Sequence, residues 1–195
     1  MKKLLVAIFA AVLGVASLFA GDAEDIKAVF AEQRKLFLAG DFVGMEAALT
    51  PDYISIEPHG IFNLTHIKWM HTTMDGKHPE EFMLGNFSLR TRGAIPDAEM
   101  ERKLRIAARN PEFVKFYEEL VAKRLPLLKK AMEHGHKTSK YIDIRIDGDS
   151  ARVVSECEIP DIVDSDGAIK RQVSVTILRR IDGKWRIAKS AILRY

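Results

Sequence analysis

The chain has 195 residues, 47% of them hydrophobic and 29% charged, with a formal net charge of +3 and a single cysteine. It lacks the strong basic excess and clustered arginines of a nucleic-acid binder, so nucleic acid is not an expected partner. One cysteine excludes an intramolecular disulfide, and packing alone must hold the fold.

The N-terminus has the three parts of a secretory signal peptide over residues 1–20: Lys2 and Lys3, an apolar run over 4–19, and the small residues Ala16, Ser17, Ala20 and Gly21. A cut after Ala20 leaves Leu18 at a position that prefers a small residue, so a cut after Ala23 and an uncleaved anchor stand as alternatives. Removal of 1–20 leaves 28 basic residues against 27 acidic ones, a charge of +1. The apolar run is shorter than the ~20 residues of a spanning helix, and no later segment approaches that length. The expectation is an exported protein, periplasmic or extracellular, with no integral membrane association after cleavage. Residues 21–195 have the length of a single domain.

Helix one is expected over 22–38, with Ile26, Val29, Phe30, Leu36 and Phe37 on one face and acids in its first turn. Gly40 stops it. A short helix then carries Phe42, Met45 and Leu49 on one side, and a strand over 53–57 ends at Pro58 and Gly60. Asn63 is placed to cap a helix over 64–74 with the stripe Leu64, Ile67, His71 and Met74. Residues 82–92 alternate weakly enough to be a strand. Residues 97–133 read as helical, broken at Asn110-Pro111, with Phe113, Phe116, Tyr117 and Leu120 on one face and a kink expected at Pro126.

The last third changes period from helix to strand. Runs at 141–146, 151–159, 169–181 and 184–193 are separated by Asp147-Gly148-Asp149, Ser165-Asp166-Gly167 and Asp182-Gly183. Helices followed by consecutive hairpins predict an α+β domain, with helices packed on one face of a curved, mostly antiparallel sheet.

Glu57 is the candidate general base, since burial in a cavity wall raises a carboxylate pKa toward neutrality. Strand parity puts Tyr53, Ser55 and Glu57 on one face, and Tyr53 or the nearby His59 is the candidate acid. Trp69, Tyr141 and Lys189 are the candidate ligand-binding residues. Lys189 falls on the otherwise apolar row Trp185, Ile187, Ala191 and Leu193. No metal site is expected: His66 and His71 are five apart, not the three or four that bring two ligands to one helix face. No cofactor is implied. Cys157, in an apolar strand, reads as a small buried hydrophobe.

The segments AGD at 39–41, ALTPDYISIEPHG at 48–60 and LRRIDGKWRIAKSAIL at 178–193 resemble the nuclear transport factor 2-like superfamily, in its SnoaL-like and ketosteroid-isomerase-like branch. The resemblance covers roughly 22–76 and 138–195, leaving 77–137 as an insertion with a helical pair at about 97–135. It implies a cone in which a curved sheet wraps long helices around a mostly apolar cavity. Glu57, followed by Pro58, matches the place of the isomerase general base. The isomerase oxyanion-hole tyrosine falls at Gln33, however, and its second acid falls at 175–177, where no acid stands.

The leading expectation is therefore a small-ligand-binding protein that holds an apolar or amphipathic molecule under a helical lid. One alternative is an enzyme of the isomerase, dehydratase or cyclase kind using Glu57 as base. The other is an interaction module that forms a homodimer through its sheet, without a ligand.

Overall fold

The computed structural model describes the backbone of residues 2–160 and 169–195 and the side chains of 21–160 and 169–195. The turn expected at Ser165-Asp166-Gly167 lies outside the described residues. Helix α1 (Lys2–Ala39) leads into α2 (Phe42–Ala47), the hairpin β1 (Leu49–Glu57) and β2 (Gly60–Asn63), and α3 (Leu64–Thr72), which tightens into a 3-10 turn at Thr73–Asp75. Then come α4 (Pro79–Arg90), α5 (Ala98–Ala108), α6 (Pro111–Thr138) and the strands β3 (Lys140–Asp147), β4 (Ser150–Pro160), β5 (Ile169–Ile181) and β6 (Lys184–Arg194). Among the described residues, no helix is long and apolar enough to cross a membrane.

The helix ends follow the local chemistry of the chain. Gly40 sits at φ 79°, which lets its N–H reach the Phe37 carbonyl while Asp41 N–H reaches that of Leu36. Asp41 then accepts from Gly44 N–H and starts α2. Asn63 accepts from the N–H groups of Thr65 and His66, and His66 Nδ1 accepts from Asn63 N–H at 3.0 Å, a capping box with histidine in the usual glutamate position. Asp97 caps α5, and Asn110 caps α6 with Pro111 at its first position. The helix α6 continues through Pro126 to Thr138 as one element.

Two expectations are overturned here. Residues 82–92 belong largely to helix α4, not to a strand: Pro79 at the start, Glu80 and Glu81 in the first turn and Arg90 in the last satisfy helix-end electrostatics. Leu84, Gly85 and Ser88 are the buried positions, a helical spacing the weak alternation concealed. Phe116 is 54% exposed, so the buried stripe of α6 runs instead through Tyr117, Ala131 and Gly135.

The six strands form one open, mixed sheet in the order β2-β1-β6-β5-β4-β3, parallel only between β1 and β6. The helices pack on its curved inner face, giving the α+β architecture expected. The core joins Ile26 of α1 and Ile67 of α3 to Leu49, Tyr53, Ala151, Val153, Leu178, Trp185 and Ile187. Ile26 and Leu178 are fully buried, and each such side chain contributes about 1.5–3 kcal/mol.

One irregularity matters for every later statement about β6. Leu178 pairs with Ile187 but Ile177 pairs with Lys189, so Ala188 is an extra residue, and both Ile187 and Ala188 are buried. Beyond this bulge the parity of β6 reverses. Ser190 faces inward, while Lys189, Ala191 and Leu193 face out.

Candidate functional site

Along β4 the inward row changes character from Ala151 and Val153 to Ser155 and Cys157. On β5 it runs from Leu178 and Thr176 to Ser174 and Gln172. Small polar side chains there leave space that the core residues fill at the other end. The result is a cavity of about 260 Å³ between α1, α6 and the inner face of β3, β4 and β5.

Its apolar walls are Phe30 of α1, Met45 of α2, Met132 of α6 and Ile159 of β4. Phe30 and the ring of Tyr141 meet at 6.1 Å between centroids. Helix α6 packs directly on β4 at Gly135, where an added Cβ would make ordinary contacts at 3.4 Å to Ile159 Cγ1 and 3.5 Å to the Glu158 carbonyl. Thr138 Oγ1 accepts from Glu158 N–H at 2.9 Å and fixes the end of the helix against β4.

The polar part of the lining is formed by Gln33, Arg34, His136, Ser139, Tyr141, Ser155 and Gln172. Gln33 donates to the Met45 carbonyl at 3.1 Å. Gln172 accepts from Arg194 Nε at 2.9 Å and donates to Ser174 Oγ, so its amide is fixed in orientation. Arg34 Nε is buried and has no hydrogen-bond partner among the described residues. Burial and the neighbouring Arg34 charge push the His136 imidazole pKa down. Burial pushes the Cys157 thiol up, and it also pushes up the Tyr141 phenol.

Of the candidate catalytic and ligand-binding residues, Glu57, His59, Tyr53, Trp69, Tyr141 and Lys189, only Tyr141 lines this cavity. Lys189 is exposed on the outer sheet face, carried there by the Ala188 bulge, so the row that would have brought it inward does not exist. Trp69 is half-buried, packs edge-on against His66 at 5.5 Å and abuts Gly85, a contact between α3 and α4. His59 is exposed in the turn between β1 and β2.

Glu57 and Tyr53 belong to a different arrangement. Ser55 Oγ donates to Glu57 Oε1 at 3.1 Å, Ser190 Oγ donates to Ser55 Oγ at 3.1 Å, and Tyr53 OH lies 2.7 Å from Ser190 Oγ. Each hydroxyl has one proton to give. With Ser190 donating to Ser55, the tyrosine must donate to Ser190, and the chain runs one way, from Tyr53 to the Glu57 carboxylate. Burial pushes the Tyr53 phenol pKa up. Glu57 is thus the acceptor that closes a polar chain inside the sheet, off the cavity.

Arg34, His136, Gln172 and Met132 were not foreseen. Arg34 did leave a signal: it stands four residues after Phe30 and three before Phe37, so with Gln33 it interrupts the apolar stripe of helix one. Among the described residues, no group of three or more histidine, cysteine or acidic side chains is placed to hold a metal.

No family model matches the sequence. No curated protein matches it either. Solved structures do resemble it. An NTF-2 like protein of unknown function from Shewanella oneidensis is 13% identical, covering 87% of this chain and 97% of that one at a TM-score of 0.42. An NTF2-like protein with a cystatin-like fold from Novosphingobium aromaticivorans is 11% identical, covering 92% and 86% at 0.44. A ketosteroid isomerase-like protein from Erwinia carotovora is 13% identical, covering 87% and 92% at 0.41. What the described residues show by themselves is an α+β arrangement of helices packed on one open, mixed sheet. Likeness at this level says nothing about a ligand or a reaction.

Proposed function

We propose that the chain is an exported binding protein that holds a small amphipathic molecule in the cavity between α1, α6 and β3 to β5. The observation that carries this reading is the cavity itself, of about 260 Å³. Its walls combine Phe30, Met45, Met132 and Ile159 with a few convergent polar groups, the composition of small-molecule sites. The volume lies just under the ~300–1,000 Å³ usual for such sites, which favours a small ligand. Export rests on the charged, apolar and small-residue pattern of 1–20.

The test is thermal shift with a panel of small amphiphiles, neutral and charged, on the wild type and on Ser155→Phe, whose ring would occupy the cavity. A ligand raises the midpoint by mass action. Binding by the wild type that is lost in the filled variant supports the reading. A panel in which nothing binds, or binds both proteins alike, overturns it. N-terminal sequencing of the secreted protein tests export, with a mature end near Gly21 as the expected result.

A second reading, a homodimer formed through the outer sheet face, is favoured by one observation. Ile61, Ile56 and Ala191 lie side by side in register, and Ile61 (59%), Ile56 (51%) and Leu193 (65%) are exposed. Contiguous apolar surface of this kind marks interaction sites. Sedimentation of the wild type against Ile56→Lys tests it: a dimer that the lysine dissociates is expected, and a monomeric wild type removes the reading.

A further inference from the structure

Resting on the binding reading above, we propose that the ligand is a small monocarboxylate with an apolar body, its carboxylate paired with Arg34 inside the cavity. The lining contains an arginine and a histidine but no aspartate or glutamate. Three other half-buried guanidinium groups, those of Arg105, Arg179 and Arg180, each meet a carboxylate, with Arg179 paired to Asp52. Arg105 meets Glu80, Glu81 and Glu101, and Arg180 meets Asp22 while lying over the Trp185 ring. Arg34 has no acidic partner among the described residues, and its Nε is sealed from solvent with nothing to donate to.

A buried donor on a charged group carries a large desolvation cost until it is met, and an arginine presents its donors in the fork that a carboxylate accepts. The other polar groups agree in sign. Tyr141, Ser155 and Ser139 can each donate a hydrogen bond, and the Gln172 carbonyl oxygen is already taken by Arg194. A cavity rich in donors and free of carboxylates disfavours an amine, whose charge Arg34 would repel. A single permanent positive charge suits a monoanion better than a dianion, and the wall of Phe30, Met45, Met132 and Ile159 takes the hydrocarbon or aryl part.

The test measures octanoate, octanamide and octanol binding by calorimetry on the wild type, Arg34→Gln and Arg34→Lys, with slowed alkylation of Cys157 as the readout that places the probe in this cavity. Octanoate is expected to bind the wild type most tightly, to weaken about 10- to 100-fold in Arg34→Gln and to recover partly in Arg34→Lys. The two neutral probes should change by less than about threefold across all three proteins. Should Arg34→Gln not fold, preference for octanoate over octanamide in the wild type, declining with salt, decides the matter. If the neutral probes bind as tightly as octanoate, the binding reading stands and the carboxylate assignment falls. If no probe binds the wild type or protects Cys157, both fall.

Discussion

Ser190 of β6 donates to Ser55 of β1 across the one parallel pairing in the sheet, at 3.1 Å, and so links the phenol of Tyr53 to the carboxylate of Glu57. Ser55 is 1% exposed, so removing its hydroxyl strands the Ser190 proton in the protein interior. Ser55→Ala is expected to lower stability by about 1–3 kcal/mol, and Glu57→Gln, which keeps an acceptor, by less than ~1 kcal/mol. Ligand affinity should be unchanged in both, because neither residue touches the cavity. Urea melts together with titration of a bound probe check this; a Glu57→Gln variant that folds normally but loses binding or turnover would return Glu57 to the centre of function.

His66 gives the fold an acid limit. It is 3% exposed, burial pushes its pKa down, and its Nδ1 must stay unprotonated to accept Asn63 N–H at the start of α3. The unfolded chain takes up a proton below the ordinary histidine value of ~6.5, where folded His66 resists it, so stability is full above that value and declines as pH falls toward the depressed folded pKa. Thermal midpoints from pH 8 to 5 should fall in the wild type and fall less in His66→Gln. Equal slopes in the two proteins would assign the loss to other groups.

Among the described glycines, Gly93 leaves the least room for a side chain. It has φ 101°, and a Cβ on it would lie 2.0 Å from the Ile61 carbonyl oxygen; a Cβ on Gly60 would similarly meet the Arg92 carbonyl at 2.5 Å. Here the loop after α4 crosses the free edge of β2, and Ile61 N–H donates to the Arg92 carbonyl. Gly93→Ala should cost several kcal/mol, the backbone alone about 1–3. Because the same loop covers a strand edge, the variant should also aggregate on mild heating, which light scattering would detect. A variant as stable as wild type would show that the loop is free to move off the strand.

Cys157 reports on the cavity. Burial holds its thiol above the ordinary range, so alkylation by a small maleimide at neutral pH should be slower than for free cysteine and should accelerate as pH rises. A rate equal to that of the free thiol would mean that the cavity wall opens readily.

What the sequence disclosed and what it hid divide along physical lines. Stops written in a single residue were legible: Gly40, Asn63 and Asn110-Pro111 sit where the chain ends or begins helices. The turns at Asp147-Gly148 and Asp182-Gly183 fall between strands, with Gly148, Asp182 and Gly183 at positive φ. Features that depend on a partner strand were not legible. The four-residue β2 exists because it pairs with 54–57, and the facing of Lys189 depends on a bulge defined only against Ile177 and Leu178. The site suffered for the same reason. Arg34, Tyr141 and Gln172 come from three separate elements, and only the sheet register and the packing of α1 on the sheet make them neighbours.

The bulge in β6 also changes which mutations matter. Ser190 and Ile192 keep their inward aspect because the strand carries one residue more than its partner there. Deleting Ala188 would change no buried group larger than a methyl, yet it would turn the rest of β6 inside out, presenting Lys189 and Leu193 to the helices and Ser190 to solvent. At this point the molecule is sensitive to the count of residues more than to their identity. Length variation between Ile187 and Lys189 should therefore be far less tolerated than replacement of Ala188 by serine or glycine.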